Sequence, residues 1–251
     1  MSDEPRIIRV RHEIRRRKLT VQRVEPLAPQ MLRIVLGGEE LAGFTSLGFD
    51  DHVKVFVPGE GAGPVARDFT PRRFDPEKSE LWLDFFLHEA GPATAWAAQA
   101  TPGQSIEIGG PKGSAVIEMQ DIDLHVLIGD ETALPAIGRR LEELPANARA
   151  LALIETEHGA DRPALSTRAD LEVAWVSRDL EAASPAGELI TALRRLHFPL
   201  DRCFAWIAHE TQVARAIRAH LRDERGMNKK WIKAAGYWQR GASGTHQAIS
   251  D

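Results

Sequence analysis

The sequence predicts an antiparallel β-barrel followed by a parallel-sheet α/β domain. Three observations predict it. Up to about residue 120, short apolar stretches are cut by Gly/Pro turns. Beyond it, compact apolar runs alternate with helical patterns. The texture changes within a few residues, near 119–123, which divides the chain into domains 1–120 and 121–251.

The first domain reads as strands at 19–24, 31–36, 52–57, 81–87 and 105–108, with Gly37-Gly38 and Pro58-Gly59 ending two of them. Short strands at this spacing, separated by turn residues, fit an antiparallel barrel. Gly91-Pro92-Ala93-Thr94 interrupts them, with Pro at a first helical position before good helix formers. In the second domain, strands at 124–128, 151–154, 173–176 and 203–208 alternate with helices at 133–144, 186–196 and 211–225. That alternation implies a parallel sheet with crossover helices. A last strand lies within 229–241, where lysines read as protection of a sheet edge.

The chain has 251 residues, enough for two modest domains, each with its own core. It is 43% hydrophobic and 27% charged, as ordinary globular proteins are. A net charge of -4 argues against charge-driven nucleic-acid binding. Cys203 is the single cysteine and reads as a small buried hydrophobe, which excludes an internal disulfide and a cysteine-rich metal site. The histidines show no metal-ligand spacing. No Gly-x-Ser-x-Gly turn supports hydrolysis. No segment is long and apolar enough to span a membrane, and the charged N-terminus lacks a signal-peptide core, so the expected location is cytoplasmic. The arginines from Arg6 to Arg17 read as a solvated, partly mobile arm.

Four segments can carry chemistry. Arg67-Asp68-Phe69-Thr70-Pro71-Arg72 places phosphate-binding arginines beside an aromatic ring and a hydroxyl, just before a turn at Phe74-Asp75-Pro76. A solvated surface turn would look the same. His88-Glu89-Ala90-Gly91-Pro92-Ala93-Thr94 opens a helix whose free N–H groups suit a pyrophosphate, or is a plain β-to-α connection. Gly129-Asp130-Glu131-Thr132 leaves a buried strand and enters a helix, where α/β sheets bind ligands; Asp130 or Thr132 can equally be a helix N-cap. In the 229–241 segment lysines and aromatics interleave, which fits a small anionic or aromatic ligand better than nucleic acid.

Taken in order, these segments resemble the siderophore-interacting, vibriobactin-utilisation-like ferric reductases. The Arg-x-Tyr-Thr-x-Arg pattern appears at Arg67–Arg72, His-x-x-Gly-Pro-Ala-x-x-Trp-Ala at His88–Ala97, and Gly-Gly-Pro-Arg-Gly-Ser at Gly109–Ser114. Gly-Asp-Glu-Thr-Ala-Leu-Pro-Ala-Ile is matched in full at Gly129–Ile137, and Gly-Tyr-Trp-x-x-Gly at Gly236–Gly241. Phe69 stands for the family's tyrosine, Lys112 for its arginine, and His209 for the glycine of Ala-Gly-Glu, narrowing the space near the nucleotide site.

The resemblance implies an FAD-binding barrel followed by an NAD(P)H-binding-like domain. It implies that Arg67, Phe69 and Thr70 hold the flavin ribityl and ring. The backbone at Gly91, Ala93 and Thr94, with His88 alongside, would bind the FAD pyrophosphate. Asp130, Glu131 and Thr132 would shape the nicotinamide or phosphate site, with Tyr237 and Trp238 near the flavin face. Lys54, Lys112 and Arg240 would receive a ferric siderophore. The implied activity is reduction of that complex to release iron(II), with electrons from NADPH, NADH or reduced ferredoxin, by a monomer with no membrane or nucleic-acid partner. A general flavin-linked reductase and a non-enzymatic siderophore-binding module are the alternatives.

Overall fold

The computed structural model describes residues 4–59, 61, 63–87, 91–157, 159, 162–178, 184, 186–242 and 247–249. Ile7–Val116 is one compact unit; Ile117 onward, with the stretch ending at Arg6, is a second. Among the described residues no helix is long and apolar enough to cross a membrane.

The first unit holds β1 (Ile7–Arg11), β2 (Arg16–Ala28), β3 (Met31–Gly37), β4 (Val53–Val57), β5 (Val65–Phe69), β6 (Arg73–Asp75), β7 (Glu80–Phe86), helix α1 (Pro92–Ala98), β8 (Ser105–Gly109) and β9 (Gly113–Ile117), the last reaching one residue past its boundary. Seven strands form one sheet in the order β5-β4-β8-β2-β3-β7-β6, with antiparallel pairings throughout. The long β2 serves two neighbours: 16–20 pairs with β8, and from Thr20 onward it pairs with β3 through two irregularities. Period-two patterning explains the core. In β4, Val53, Val55 and Val57 are fully buried while Lys54 and Phe56 face outward. They meet Leu19, Ile34, Leu36, Leu81, Leu83 and Ile108 inside. The sheet curls until its end strand β5 meets β7, with the rings of Phe69 and Phe85 4.1 Å apart.

Two expectations change here. The arginine-rich arm is not a free arm: Ile7–Arg11 is strand β1, paired with β9 in a separate two-stranded sheet. Mostly exposed side chains made it read as solvated, but its backbone finds a partner. Gly113 permits the pairing, since a Cβ there would press on the Val10 carbonyl oxygen, 2.5 Å away. The turn expected at 74–76 falls later, because Arg73–Asp75 is a strand; the Asp75 carboxylate accepts the Glu77 and Lys78 N–H groups that follow.

The second unit contains β10 (Leu124–Gly129), α2 (Leu134–Glu143), β11 (Arg149–Thr156), β12 (Asp170–Ser177), α3 (Gly187–Arg195), β13 (Cys203–Glu210), α4 (Thr211–Ala219), β14 (Ile232–Trp238) and β15 (Gln247–Ile249). A π-type turn, His220–Glu224, extends α4, and a short 3-10 turn, Lys229–Trp231, precedes β14. The sheet order is β12-β11-β10-β13-β14-β15. The pairings from β12 to β14 are parallel, and β15 is antiparallel to β14. β10 and β13 are buried along their whole length, as strands covered on both faces must be. β14 is not an edge, because β15 adds beyond it. Cys203 is buried, and burial pushes its thiol up to about 12, so it behaves as a core hydrophobe.

Candidate functional site

In the barrel unit, β5 ends in Arg67, Asp68 and Phe69, followed by buried Thr70. Arg67 is half-buried and donates to its neighbour's carbonyl, Ala66, at 2.9 Å. The Phe69 ring packs on Phe85, and Phe85 lies 5.7 Å from Trp96 of α1. This chain of rings brings the end of β5 beside α1, so two separately noted segments become neighbours. The helix begins with Gly91 at φ 155°, a conformation that favours glycine, and Pro92 follows in the first turn. The first bond back into the helix comes from Ala95 N–H to the Gly91 carbonyl. The Ala93 and Thr94 amides precede it and have no intrahelical acceptor. A cation, an aromatic face, a hydroxyl and free amides are the donor set a flavin dinucleotide requires, so these residues fit FAD. His88 lies outside the described residues.

Lys54 faces out from β4 and pairs with Asp68 at 2.9 Å. It lies opposite Gly109 in the ladder, and Lys112 is exposed on the turn after that glycine. Lys54 thus lies opposite the strand end that leads, three residues on, to Lys112. Arg240 belongs to the other unit, where it is exposed and its N–H faces the Glu210 carboxylate at 3.4 Å.

In the α/β unit the strand order reverses direction between β10 and β13. Open sheets of this kind bind ligands at the carboxyl ends of the strands beside such a reversal. The residues at that place form a buried charge network. Asp130, fully buried after β10, accepts from the Thr132 amide at 2.9 Å, from the Thr132 hydroxyl, and from the Trp238 indole at 2.7 Å. Neither Asp130 nor Thr132 caps α2, whose N-cap is Ala133; Asp130 instead stabilises the turn before it. Glycine is needed at 129, because a Cβ would press on the Ala133 methyl and the Ala208 carbonyl oxygen.

His209, at the end of β13, stands between two carboxylates. Its Nδ1 is 3.3 Å from Asp130 and its Nε2 is 3.3 Å from Glu155. Nδ1 also receives the Glu210 N–H at 2.7 Å, the contact of the neutral ring; protonation at Nδ1 turns that atom over to Asp130. Arg178, just past β12, completes the network, donating to Glu131 at 2.6 Å and to Glu155 at 2.8 Å, with Glu157 at 3.7 Å. Burial opposes charge on Asp130, but His209, the hydrogen bonds of Thr132 and Trp238, and Arg178 hold its carboxyl below the usual range. Burial, reinforced by Asp130, raises Glu131 despite Arg178. Burial works against a charged His209, and Asp130 and Glu155 outweigh it, so its pKa is raised.

The predicted residues Asp130, Glu131 and Thr132 are thus brought together, with Trp238 bonded to them; Tyr237 turns edge-on to Trp206, with ring centroids 6.0 Å apart. Glu155 and Arg178 are absent from the sequence-based candidates. Glu155 had a signal, a carboxylate ending the apolar run 150–154. Arg178 had none, since only strand pairing brings it to Glu131, 47 positions away.

Comparison with known proteins agrees with both units. Residues 122–241 match the siderophore-interacting protein family, and residues 20–64 and 58–115 match the siderophore-interacting FAD-binding domain. The chain is 35% identical over 260 residues to an NADPH-dependent ferric-chelate reductase of Escherichia coli K12, covering 95% of this chain and 99% of that protein. It is 30% identical over 246 residues to a ferric vibriobactin reductase of Vibrio cholerae, covering 90% of each. A siderophore utilization protein from T. fusca superposes with a TM-score of 0.87 at 34% identity, over 96% of this chain and 98% of that one. A ferredoxin-NADP+ reductase from Plasmodium falciparum shares the fold, with a TM-score of 0.65 at 12% identity over 88% and 95% of the two chains. With its barrel and its α/β unit both matched, the chain belongs to the siderophore-interacting protein family and carries that family's FAD-binding domain.

Proposed function

We propose that this protein is a cytoplasmic, monomeric, FAD-dependent reductase that takes electrons from NADPH or NADH and delivers them to a ferric siderophore, releasing iron(II). The observation that carries the reading is that one chain holds both halves such a reaction needs. The barrel unit offers a ring-lined strand end and a helix start fitted to a flavin; the α/β unit offers a strand-order reversal fitted to a nucleotide. The end-to-end likeness to a ferric-chelate reductase supports it.

Arg67, Phe69 and Thr70 would hold the flavin ribityl and ring, and the backbone at Gly91, Ala93 and Thr94 its pyrophosphate. Bound FAD supplies the conversion between a two-electron donor and a one-electron acceptor. Lys54 and Lys112 would attract the anionic ferric complex, which needs no protein ligand to iron. Oxygen-rich chelators hold iron(II) far less tightly than iron(III), so reduction is release. Replacing Lys54 by Met is expected to raise KM for the ferric siderophore while leaving the flavin spectrum unchanged.

The test is an anaerobic visible spectrum of the purified protein, followed by NADPH or NADH, then a ferric siderophore with an iron(II) trap. Bleaching by nucleotide and recovery as iron(II) appears supports the reading. Bleaching without electron transfer to iron reduces it to a general flavin-linked reductase, and a protein that takes up no flavin overturns it. One observation favours a different donor, such as reduced ferredoxin. Buried His209, its carboxylates and Arg178 fill the strand-order reversal with paired side chains, which leaves less space there for a nucleotide. A flavin reduced by ferredoxin but by neither nucleotide would establish that variant.

A further inference from the structure

The outer face of the barrel sheet carries a second cation beside Lys54. Gly109 on β8 lies opposite Lys54 on β4 and, on its other side, opposite Arg16 on β2. Residues paired across a ladder share a face, so Arg16, Gly109 and Lys54 form one row. The adjoining row, Arg17, Ile108 and Val55, is buried, which puts Arg16 and Lys54 on the outside. Gly109 adds no side chain between them, and their backbones stand roughly 10 Å apart, two strand spacings. The start of β2 is anchored there. The Gly110 N–H donates to the Arg15 carbonyl at 3.1 Å, and the Arg17 guanidinium donates to the Gly110 carbonyl at 3.3 Å.

The Arg16 guanidinium is oriented on two sides. Its carbon sits 3.9 Å from the centre of the Phe56 ring, and one N–H faces the Glu107 carboxylate at 3.2 Å. Phe56 and Glu107 lie opposite each other two residues along the same face. A Cβ at 109 would meet the Phe56 ring at 3.1 Å, so the ring leans over the glycine and floors the space between the two cations. A guanidinium presents its donors in a rigid fork, and among the described residues Glu107 takes only one N–H, which leaves the rest for a ligand. The Arg16 and Glu107 side chains are 62% and 48% exposed, so their pair is weak and gives way to a stronger acceptor. Lys54 is 42% exposed and has Asp68 as its partner.

We propose that Arg16 is a further substrate-positioning residue, its guanidinium meeting the anionic chelate oxygens of a ferric siderophore that Lys54 meets from the other side of Gly109. The ligand's identity rests on the reductase reading; the arrangement of the two cations rests on the barrel sheet alone. Arg16 acts through charge-assisted hydrogen bonds, so it separates complexes by charge. An anionic chelate gains from it, and an uncharged one of the same size does not.

The test titrates the purified full chain with a gallium(III) tris-catecholate, an anionic complex whose metal is not reduced, and reads binding by calorimetry. Arg16→Gln is expected to weaken binding about three- to tenfold, the scale of one hydrogen bond in contact with water. Arg16→Lys should recover part of the loss, and Glu107→Gln, which releases the guanidinium, should tighten binding. An uncharged gallium(III) tris-hydroxamate should bind wild type and Arg16→Gln equally. With the corresponding iron(III) complexes and an iron(II) trap, Arg16→Gln should raise KM for the tris-catecholate and leave kcat unchanged. An affinity unchanged in Arg16→Gln, an equal loss for both gallium complexes, or no binding by wild type would overturn the proposal. Arg16-dependent gallium binding by a chain that reduces neither iron complex would uphold Arg16 and overturn only the reductase reading.

Discussion

Arg178 is the cation on which the buried strand ends depend, and replacing it by Met shows how much. Its guanidinium contacts Glu131 at 2.6 Å and Glu155 at 2.8 Å, and those side chains are only 2% and 3% exposed. Met preserves much of the stem and removes the charge. Taking away one member of a buried ion pair leaves the other desolvated, at a cost of about 3–5 kcal/mol. Protonation limits the loss, since burial and Asp130 already raise the Glu131 pKa and removing Arg178 raises it further. A carboxyl whose folded pKa is raised favours the folded state at low pH and disfavours it above that pKa. The deficit should therefore approach about 3–5 kcal/mol at mildly alkaline pH and shrink as the pH falls through the raised pKa. The two units need not unfold together, so the assay is hydrogen exchange of β10, β11 and β13 across a urea series. Adding Glu131→Gln should recover part of the loss. A deficit below about 1 kcal/mol, the scale of an exposed ion pair, or one independent of pH, would refute the reasoning.

The remaining predictions concern neighbouring contacts. His209 has a raised pKa, so its stabilisation is complete below the unfolded value near 6.5 and fades as pH rises through the folded one; His209→Gly should flatten the urea midpoint against pH in that window. Trp238→Phe removes the 2.7 Å hydrogen bond to fully buried Asp130 and should cost about 1.5–3 kcal/mol, read from the same midpoints. Gly113→Ala should force β1 off β9 at a cost of about 1–3 kcal/mol, with limited tryptic digestion showing faster cleavage at Arg9 or Arg11. Phe69→Tyr keeps the ring against Phe85 and adds a hydroxyl; a gain of about three- to tenfold in FAD affinity, from flavin fluorescence quenching, is expected if Phe69 lies at the flavin.

What could be read in advance follows the range of the interactions involved. The strands of the barrel core and the α/β alternation were legible because period-two burial and strand-helix alternation are local signals. Strand β1 was hidden because its side chains are largely exposed and its partner lies about a hundred positions away: only the close approach at Gly113 betrays it. The Gly129–Thr132 loop could be placed at the end of a buried strand, and there it is. Its chemistry could not be read, because Asp130 and Glu131 look like surface carboxylates in sequence and become buried only by pairing with His209 and Arg178. The His209 departure acquires a physical meaning from this. A glycine at that position would leave Asp130 and Glu155 without the imidazole between them, and space for a ligand at the strand-order reversal. With His209 in place, that space is taken by an imidazole whose pKa its two carboxylates raise. Evicting the ring would mean separating it from both. If a nucleotide donor binds at that reversal, its fit would depend on the buried network as much as on any residue that touches it.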